Sequence, residues 1–459
     1  MQILHRLYQS LLVWLMRHAP NQRQRLLLLT ILSGGACGLA AVTFHKSIRL
    51  VEMLAIDRAN QAPGSSWIWW TILTPAFGGI LGGLGIAYVA PRAAGSGIPF
   101  VKVAYANRFG LVPLRDAFWK FVLCSIQIGT GGSLGLEGPT VQICAGVSSW
   151  LARTARLSAA NCRRMASVGV AAGIAAAFNA PIAAITFTLE EVVGDLDQTM
   201  LSGIIVAAAL AAVVERGLSE SGPVFHVNKQ YSLDHPSSLV SYALLGILAA
   251  FVSIAFTDSL LGVRLWFRGL RRVPAWLQPA IGGAATGALA VVGFYFFHQN
   301  GIAGDPYATL TLALIGGGSL TVVAMASYCV LKLAATVCSY SSGGAGGIFA
   351  PSLFMGAMLG GTVGWIDVSV FHHSTDSIGA FAVVGMGAVF AGIIRAPMTS
   401  ILIIFEMTGG YGLVLPLMIA NMSAFALARH WRPTPIYEAL LEQDGIQLPK
   451  GNTLQDNRG

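Results

Sequence analysis

Residues 130–139 read TGGSLGLEGP and residues 342–351 read SGGAGGIFAP. At an offset of 212 they share Gly131 with Gly343, Gly132 with Gly344, Gly135 with Gly347 and Pro139 with Pro351. A second pair follows in the same order. GVAAGIAAAFNAPIAAITFTLEEVVG (169–194) matches GMGAVFAGIIRAPMTSILIIFEMTGG (385–410) at an offset of 216. Here Ala180-Pro181 meets Ala396-Pro397, Ile185 meets Ile401, Glu190 meets Glu406 and Gly194 meets Gly410. Ordered matches at nearly one offset mark an internal duplication. Its halves run over about 25–220 and 238–428, with a joint near 220–238.

Of the 459 residues, 55% are hydrophobic and only 10% are charged, and the mean hydropathy is +0.67. Soluble domains carry about 25% charged residues, so a lipid bilayer is the main solvent of this chain. The hydrophobic period is helical, without the ten-residue alternation of a membrane barrel, which makes the fold all-α and polytopic. Segments 25–44, 71–90 and 239–257 supply the long apolar runs that spanning helices need. Between 128 and 194 and between 340 and 411 the runs are cut by Gly or Pro, and helices there are expected to stop partway. Broken helices are tolerated in a bilayer where they line a cavity or ion site, and paired breaks in two halves place a solute pathway between them.

Charge placement sets an expected orientation. Arginines cluster at Arg17, Arg23 and Arg25, at 153–164, at 264–272 and at 429–432. The positive-inside rule puts these places, and both termini, in the cytoplasm. The net charge of +8 is therefore read as topology and not as nucleic-acid binding. LLVWLM at 11–16 runs straight into Arg17 and His18 with no cleavage site, so residues 1–24 are read as a cytoplasmic amphipathic helix. The six cysteines lack CxxC spacing and the nine histidines form no HExxH. No metal, no cofactor and no enzymatic nucleophile are expected.

Glu137 is the one charged side chain between Lys120 and Arg153. A helix from Pro139 to Arg153 rises about 20 Å, which puts Glu137 deep in the bilayer at a helix N-terminus. Free N–H groups and the helix dipole attract anions there, and a second such terminus follows GGIFAP. The pathway is thus expected to carry an anion, with ionised Glu137 occupying the anion's place and protonation releasing it. Glu190 is matched by Glu406, so both are expected to pin a helix end in each half. Glu191 faces Met407 and is unmatched, which makes it the candidate proton station near the cytoplasmic end. An intramembrane enzyme using Glu137 and Glu191 as acid and base is disfavoured. The two stand 54 residues apart at different expected depths, with no nucleophile or metal motif.

GSGIP (95–99), GLEGP (135–139) and GGIFAP (346–351) resemble the signature motifs of the CLC family of chloride channels and chloride/proton antiporters. AAFNAP (176–181), IRAP (394–397) and EMT (406–408) are similar to further family features, and the resemblance covers about 25–440. It implies a CLC fold of two antiparallel halves, one membrane domain over 25–437, and a homodimer with one anion pathway per subunit. It also implies that chloride is held by the Ser96 hydroxyl, the Ile348 and Phe349 N–H groups and the Tyr437 hydroxyl. In that scheme Glu137 is the gate and external proton carrier, and Glu191 stands at the internal proton position that exchangers have and channels generally lack. Gly95, Gly97, Gly135, Gly138 and Pro139 are supporting residues, and Lys120 matches a buried family lysine. A chloride/proton antiporter of a bacterial inner membrane is the expectation, and a passive chloride channel of the same family is the alternative. Ser96 favours chloride over nitrate or fluoride. Two positions depart from the pattern. Leu136 stands where many relatives have Arg or Lys, a loss that Lys120 is read as offsetting, and Phe100 replaces a common acidic residue. The tail, 438–459, is read as cytoplasmic and without the paired regulatory CBS domains of many relatives.

Overall fold

Two Ala-Pro pairs show how the sequence breaks its helices. The residue before a proline is driven to extended backbone, while the proline itself suits a first helical position. Ala180 is accordingly at φ −129° and Ala396 at φ −113°, and a new helix starts at Pro181 and at Pro397. The preceding helices end on left-handed residues in both halves, Asn179 (φ 51°) and Arg395 (φ 71°).

The computed structural model describes residues 22–194, 198–219, 231–233, 237–316 and 320–448. Nearly all of the helix expected over 1–24, most of the joint at 220–238 and the tail beyond 448 lie outside the described residues. The first half runs α1 (Gln22–Leu54), α2 (Ser66–Tyr88), α3 (Ile98–Asn107), α4 (Leu114–Gly129), α5 (Glu137–Thr154), α6 (Ala159–Phe178), α7 (Pro181–Phe187) and α8 (Gln198–Ser219). The second repeats that order as α9 (Ser238–Gly269), α10 (Gln278–Phe297), α11 (Tyr307–Ile315), α12 (Val322–Ser341), α13 (Phe349–Phe371), α14 (Ser377–Ile394), α15 (Pro397–Thr408) and α16 (Val414–Trp431). A last helix, α17 (Ile436–Gln443), follows. Among the described residues nine helical segments are long and apolar enough to cross a membrane. The only β-type pairing there is two isolated bridges.

The halves are inverted. Arg264 and Arg268 at the end of α9 meet Asp444 after α17, at 2.9 and 2.5 Å. Arg163, between α5 and α6, lies over the Tyr105 ring near the end of α3 at 4.3 Å. Lys102 of α3 in turn bonds Glu438 of α17, so the arginine-rich ends gather on one side. α5 runs toward that side, ending beside Arg153. α13 runs away from it, because Asp367 near its end accepts a hydrogen bond from Ser241 in the first turn of α9 at 2.6 Å. α9, at 32 residues, spans about 48 Å between the two sides.

Between 340 and 411 the expectation of interrupted helices holds for α15, which has 12 residues, but not for α13 and α14, which have 23 and 18. The glycines are a contact surface. A Cβ at Gly356 or Gly360 would collide with the backbone of Gly385 or Phe381 in α14, and one at Gly385 would meet Gly356 and Gly360 in return. Small residues let helix backbones approach where lipid offers no hydrophobic drive for association.

Glu190 and Glu406 do pin helix ends, but each pins one in the opposite half. Glu190 accepts from the N–H groups of Met398 (3.2 Å) and Thr399 (2.8 Å) and from the Thr399 hydroxyl (2.6 Å), at the start of α15. Glu406, near the end of α15, accepts from Ile182 N (3.0 Å) and Ala183 N (2.7 Å) at the start of α7. The repeat pair is a reciprocal cap across the pseudo-two-fold. Glu406→Ala is expected to cost about 1–2 kcal/mol and to lower the unfolding midpoint of the detergent-solubilised protein, and Glu190→Ala is expected to do the same. Unchanged melting of both variants would remove the caps from the account of stability.

Candidate anion and proton site

The three glycine motifs are stitched together by their backbones. Gly95 N donates to Gly344 O at 2.9 Å and Gly346 N to Gly95 O at 3.1 Å. Gly135 and Gly347 exchange both of their bonds, at 2.7 and 2.5 Å. Side chains are excluded here for two reasons. Gly97 sits at φ 94°, a conformation that favours glycine. A Cβ at Gly138 would come within 2.6 Å of the Ser96 carbonyl.

This stitching brings the starts of α5 and α13 face to face. The Glu137 carboxylate crosses the gap between them: Oε2 accepts from Ala350 N in the first turn of α13 at 3.3 Å. The first N–H groups of a helix have no intrahelical partner and the dipole adds positive charge, so the carboxylate occupies an anion position on the second half's backbone. Its other oxygen, Oε1, accepts from the Tyr307 hydroxyl at 2.7 Å.

Ser96 is buried beside this gap, and its hydroxyl accepts from Ile98 N at 3.3 Å. Ile348 directly precedes α13 and Phe349 opens it, both buried. The Phe349 ring stands among Phe187 (5.4 Å), Phe390 (5.0 Å), Phe178 (6.0 Å) and Tyr437 (6.4 Å), a buried aromatic cluster. Tyr437 is wholly buried, and the Ser96 side chain is the polar neighbour of its hydroxyl. Pro139 follows Gly138 in the first turn of α5 and lies near Gly347.

Glu191 is on the arginine-rich side, in a π-helical turn (Thr188–Val193) that prolongs α7 and ends where Gly194 N bonds Leu189 O at 2.9 Å. The helical path that starts at Pro181 thus runs on through Glu190 and Glu191, with its last turn widened. Lys120 does not face Leu136 and so does not offset that loss: its buried Nζ donates to the carbonyls of Ala93 (2.8 Å) and Gly95, holding the GSGIP loop. Lys332, 212 residues on, repeats the device on Gly301 (2.9 Å) and Ile302 (3.0 Å). Leu136 instead lines a cavity of about 290 Å³ whose wall includes Arg49, Glu52, Asp305, Tyr307 and Ala350. The cation there is Arg49, which pairs with Glu52 and Asp57, each at 3.3 Å.

The family model described as voltage gated chloride channel matches residues 77–429. The chain belongs to this CLC family. An H(+)/Cl(-) exchange transporter ClcA of Salmonella paratyphi A is 30% identical over 444 residues, covering 93% of this chain and 91% of the relative. The protein of that name from Salmonella typhi is 30% identical over the same length. Among solved structures, that of a slow cyanobacterial Cl-/H+ antiporter superposes with a TM-score of 0.81 at 24% identity, covering 91% of this chain and 97% of the other. A CLC-type fluoride/proton antiporter gives 0.74 at 23% identity over 90% and 97%.

Tyr307, Lys102 and Glu438 went unnoticed in the CLC sequence, although signals for two of them were present. Tyr307 lies 212 residues after Gly95, at the repeat counterpart of the GSGIP loop, and Lys102 is the lone charge between Arg92 and Arg108. Tyr307→Phe removes a charge-assisted bond from Glu137, so an anion displaces the carboxylate more easily. Chloride binding to the purified protein by calorimetry is expected to tighten by about fivefold to tenfold. Unchanged or weaker binding would show that the tyrosine does not hold the carboxylate in place.

Proposed function

We propose that this CLC protein is a chloride/proton antiporter in which Glu137 is both the gate and the outer proton carrier. The observation that carries this reading is the carboxylate of Glu137 resting on the first-turn backbone of α13. Chloride and the ionised side chain then compete for one position, and a proton on Glu137 frees it for chloride. Ser96, the Ile348 and Phe349 N–H groups and the Tyr437 hydroxyl are the proposed chloride ligands, all of them neutral donors suited to a halide. Glu191, on the arginine-rich side, is the proposed inner proton station, a carboxylate that the second half replaces with Met407. Relatives named as H(+)/Cl(-) exchange transporters over nearly the whole chain support exchange over passive conduction. The gathered arginines support a cytoplasmic placement of that side, and hence of both termini, in a bacterial inner membrane. A homodimer is part of the proposal. Exposed Ile182 and Met398 at the starts of α7 and α15 support it by leaving an apolar face for a second copy.

Purified protein in liposomes decides between exchange and conduction. A chloride gradient is expected to drive proton uptake, and the reversal potential is expected to shift with a pH gradient. A reversal potential fixed at the chloride value would establish a channel. Glu137→Gln is expected to abolish proton uptake while retaining chloride flux. Glu191→Gln is expected to lose proton movement and keep chloride transport, and undiminished proton uptake by that variant would move the inner station elsewhere.

A further inference from the structure

Lys102 stands within α3, the helix that starts at the GSGIP loop. Its ammonium donates to Glu191 Oε1 at 2.7 Å and to Glu438 Oε1 at 2.8 Å. The Lys102 and Glu191 side chains are 9% and 7% exposed, whereas Glu438 is 35% exposed. Glu438 directly follows Tyr437 in the first turn of α17. One buried cation therefore joins the three elements that carry Ser96, Glu191 and Tyr437.

We propose that Lys102 is a positioning residue that couples proton arrival at Glu191 to the seating of α17, and through it to the Tyr437 hydroxyl at the chloride position. This rests on the exchange reading above. With both carboxylates ionised the triad carries a net charge of minus one, and the ammonium is shared. A proton taken up by the Glu191 carboxylate neutralises the triad and reduces one of its two ion pairs to a weaker bond from the ammonium to a neutral carboxyl. A buried ammonium does not stay unpaired at tolerable cost, so Lys102 then follows Glu438. The other end of α17 is fixed, because Arg264 and Arg268 hold Asp444. Neighbouring Glu190 is committed to the start of α15. The free response is a shift of the first turn of α17 relative to α3, which moves Tyr437 relative to Ser96.

The test is a double-mutant cycle on chloride efflux from liposomes, with proton uptake recorded alongside, using the full chain, Lys102→Met, Lys102→Arg, Glu191→Gln and the Lys102→Met/Glu191→Gln double variant. Lys102→Met is expected to change chloride efflux by at least about threefold when Glu191 is present and by less than about 1.5-fold when it is Gln. It is also expected to raise the number of chloride ions moved per proton, while Lys102→Arg stays near the parent ratio. The same factor in both backgrounds would overturn the proposal, as would an unchanged ratio. Equal loss of both fluxes in Lys102→Met, restored by Arg, would also overturn it by showing a structural role alone. If the parent protein takes up no protons, the exchange reading fails by itself. The efflux cycle then still decides: dependence on Glu191 supports the coupling and independence overturns it.

Discussion

Two helix N-termini aimed at one another are the constraint on which the rest of this structure depends. α5 and α13 each bring free N–H groups and positive dipole ends to the same point, and like poles repel. Nothing in the backbone relieves that, so an anion or a carboxylate must sit between them. Glu137 does so in the structure, bonded across the gap to Ala350. The bonds between Gly95, Gly135 and the Gly344–Gly347 stretch hold the loops in place. The glycine-to-backbone contacts of α13 with α14 keep the second pole from backing away.

The backbone obeys the repeat while the side chains depart from it where chemistry is needed. Lys120 and Lys332 each tie a loop through its carbonyls, and Glu190 and Glu406 exchange caps. At the centre the pattern separates. Glu137 is opposed by Phe349, Glu191 by Met407, and Gly95 by Tyr307. A symmetric frame positions the helix ends, and the side chains at these matched central positions differ between the halves.

Much of this was legible from the chain alone. The duplication, the breaks at Ala180-Pro181 and Ala396-Pro397 and the place of Glu137 at a helix N-terminus all follow from spacing and proline geometry. What escaped the sequence depends on contacts between distant segments. Glycines that break helices in water act as packing surfaces here, so α13 and α14 came out longer than expected. Lys120 could be recognised as buried, but nothing local indicates that the Gly95 carbonyl is its partner. Tyr307 meets Glu137 across 170 residues of chain, and only the repeat register would have brought the two together.

The exchanged caps of Glu190 and Glu406 bear on how such a protein arises. A single half, standing alone, leaves the first turn of its own short helix without acceptors, because the carboxylate that satisfies those N–H groups belongs to the other half. Two copies in opposite orientations satisfy each other. The reciprocal caps therefore make each half a structural requirement of the other. One continuous chain keeps the two halves together at equal number, so the caps are always supplied while the side chains at the centre differ between the halves.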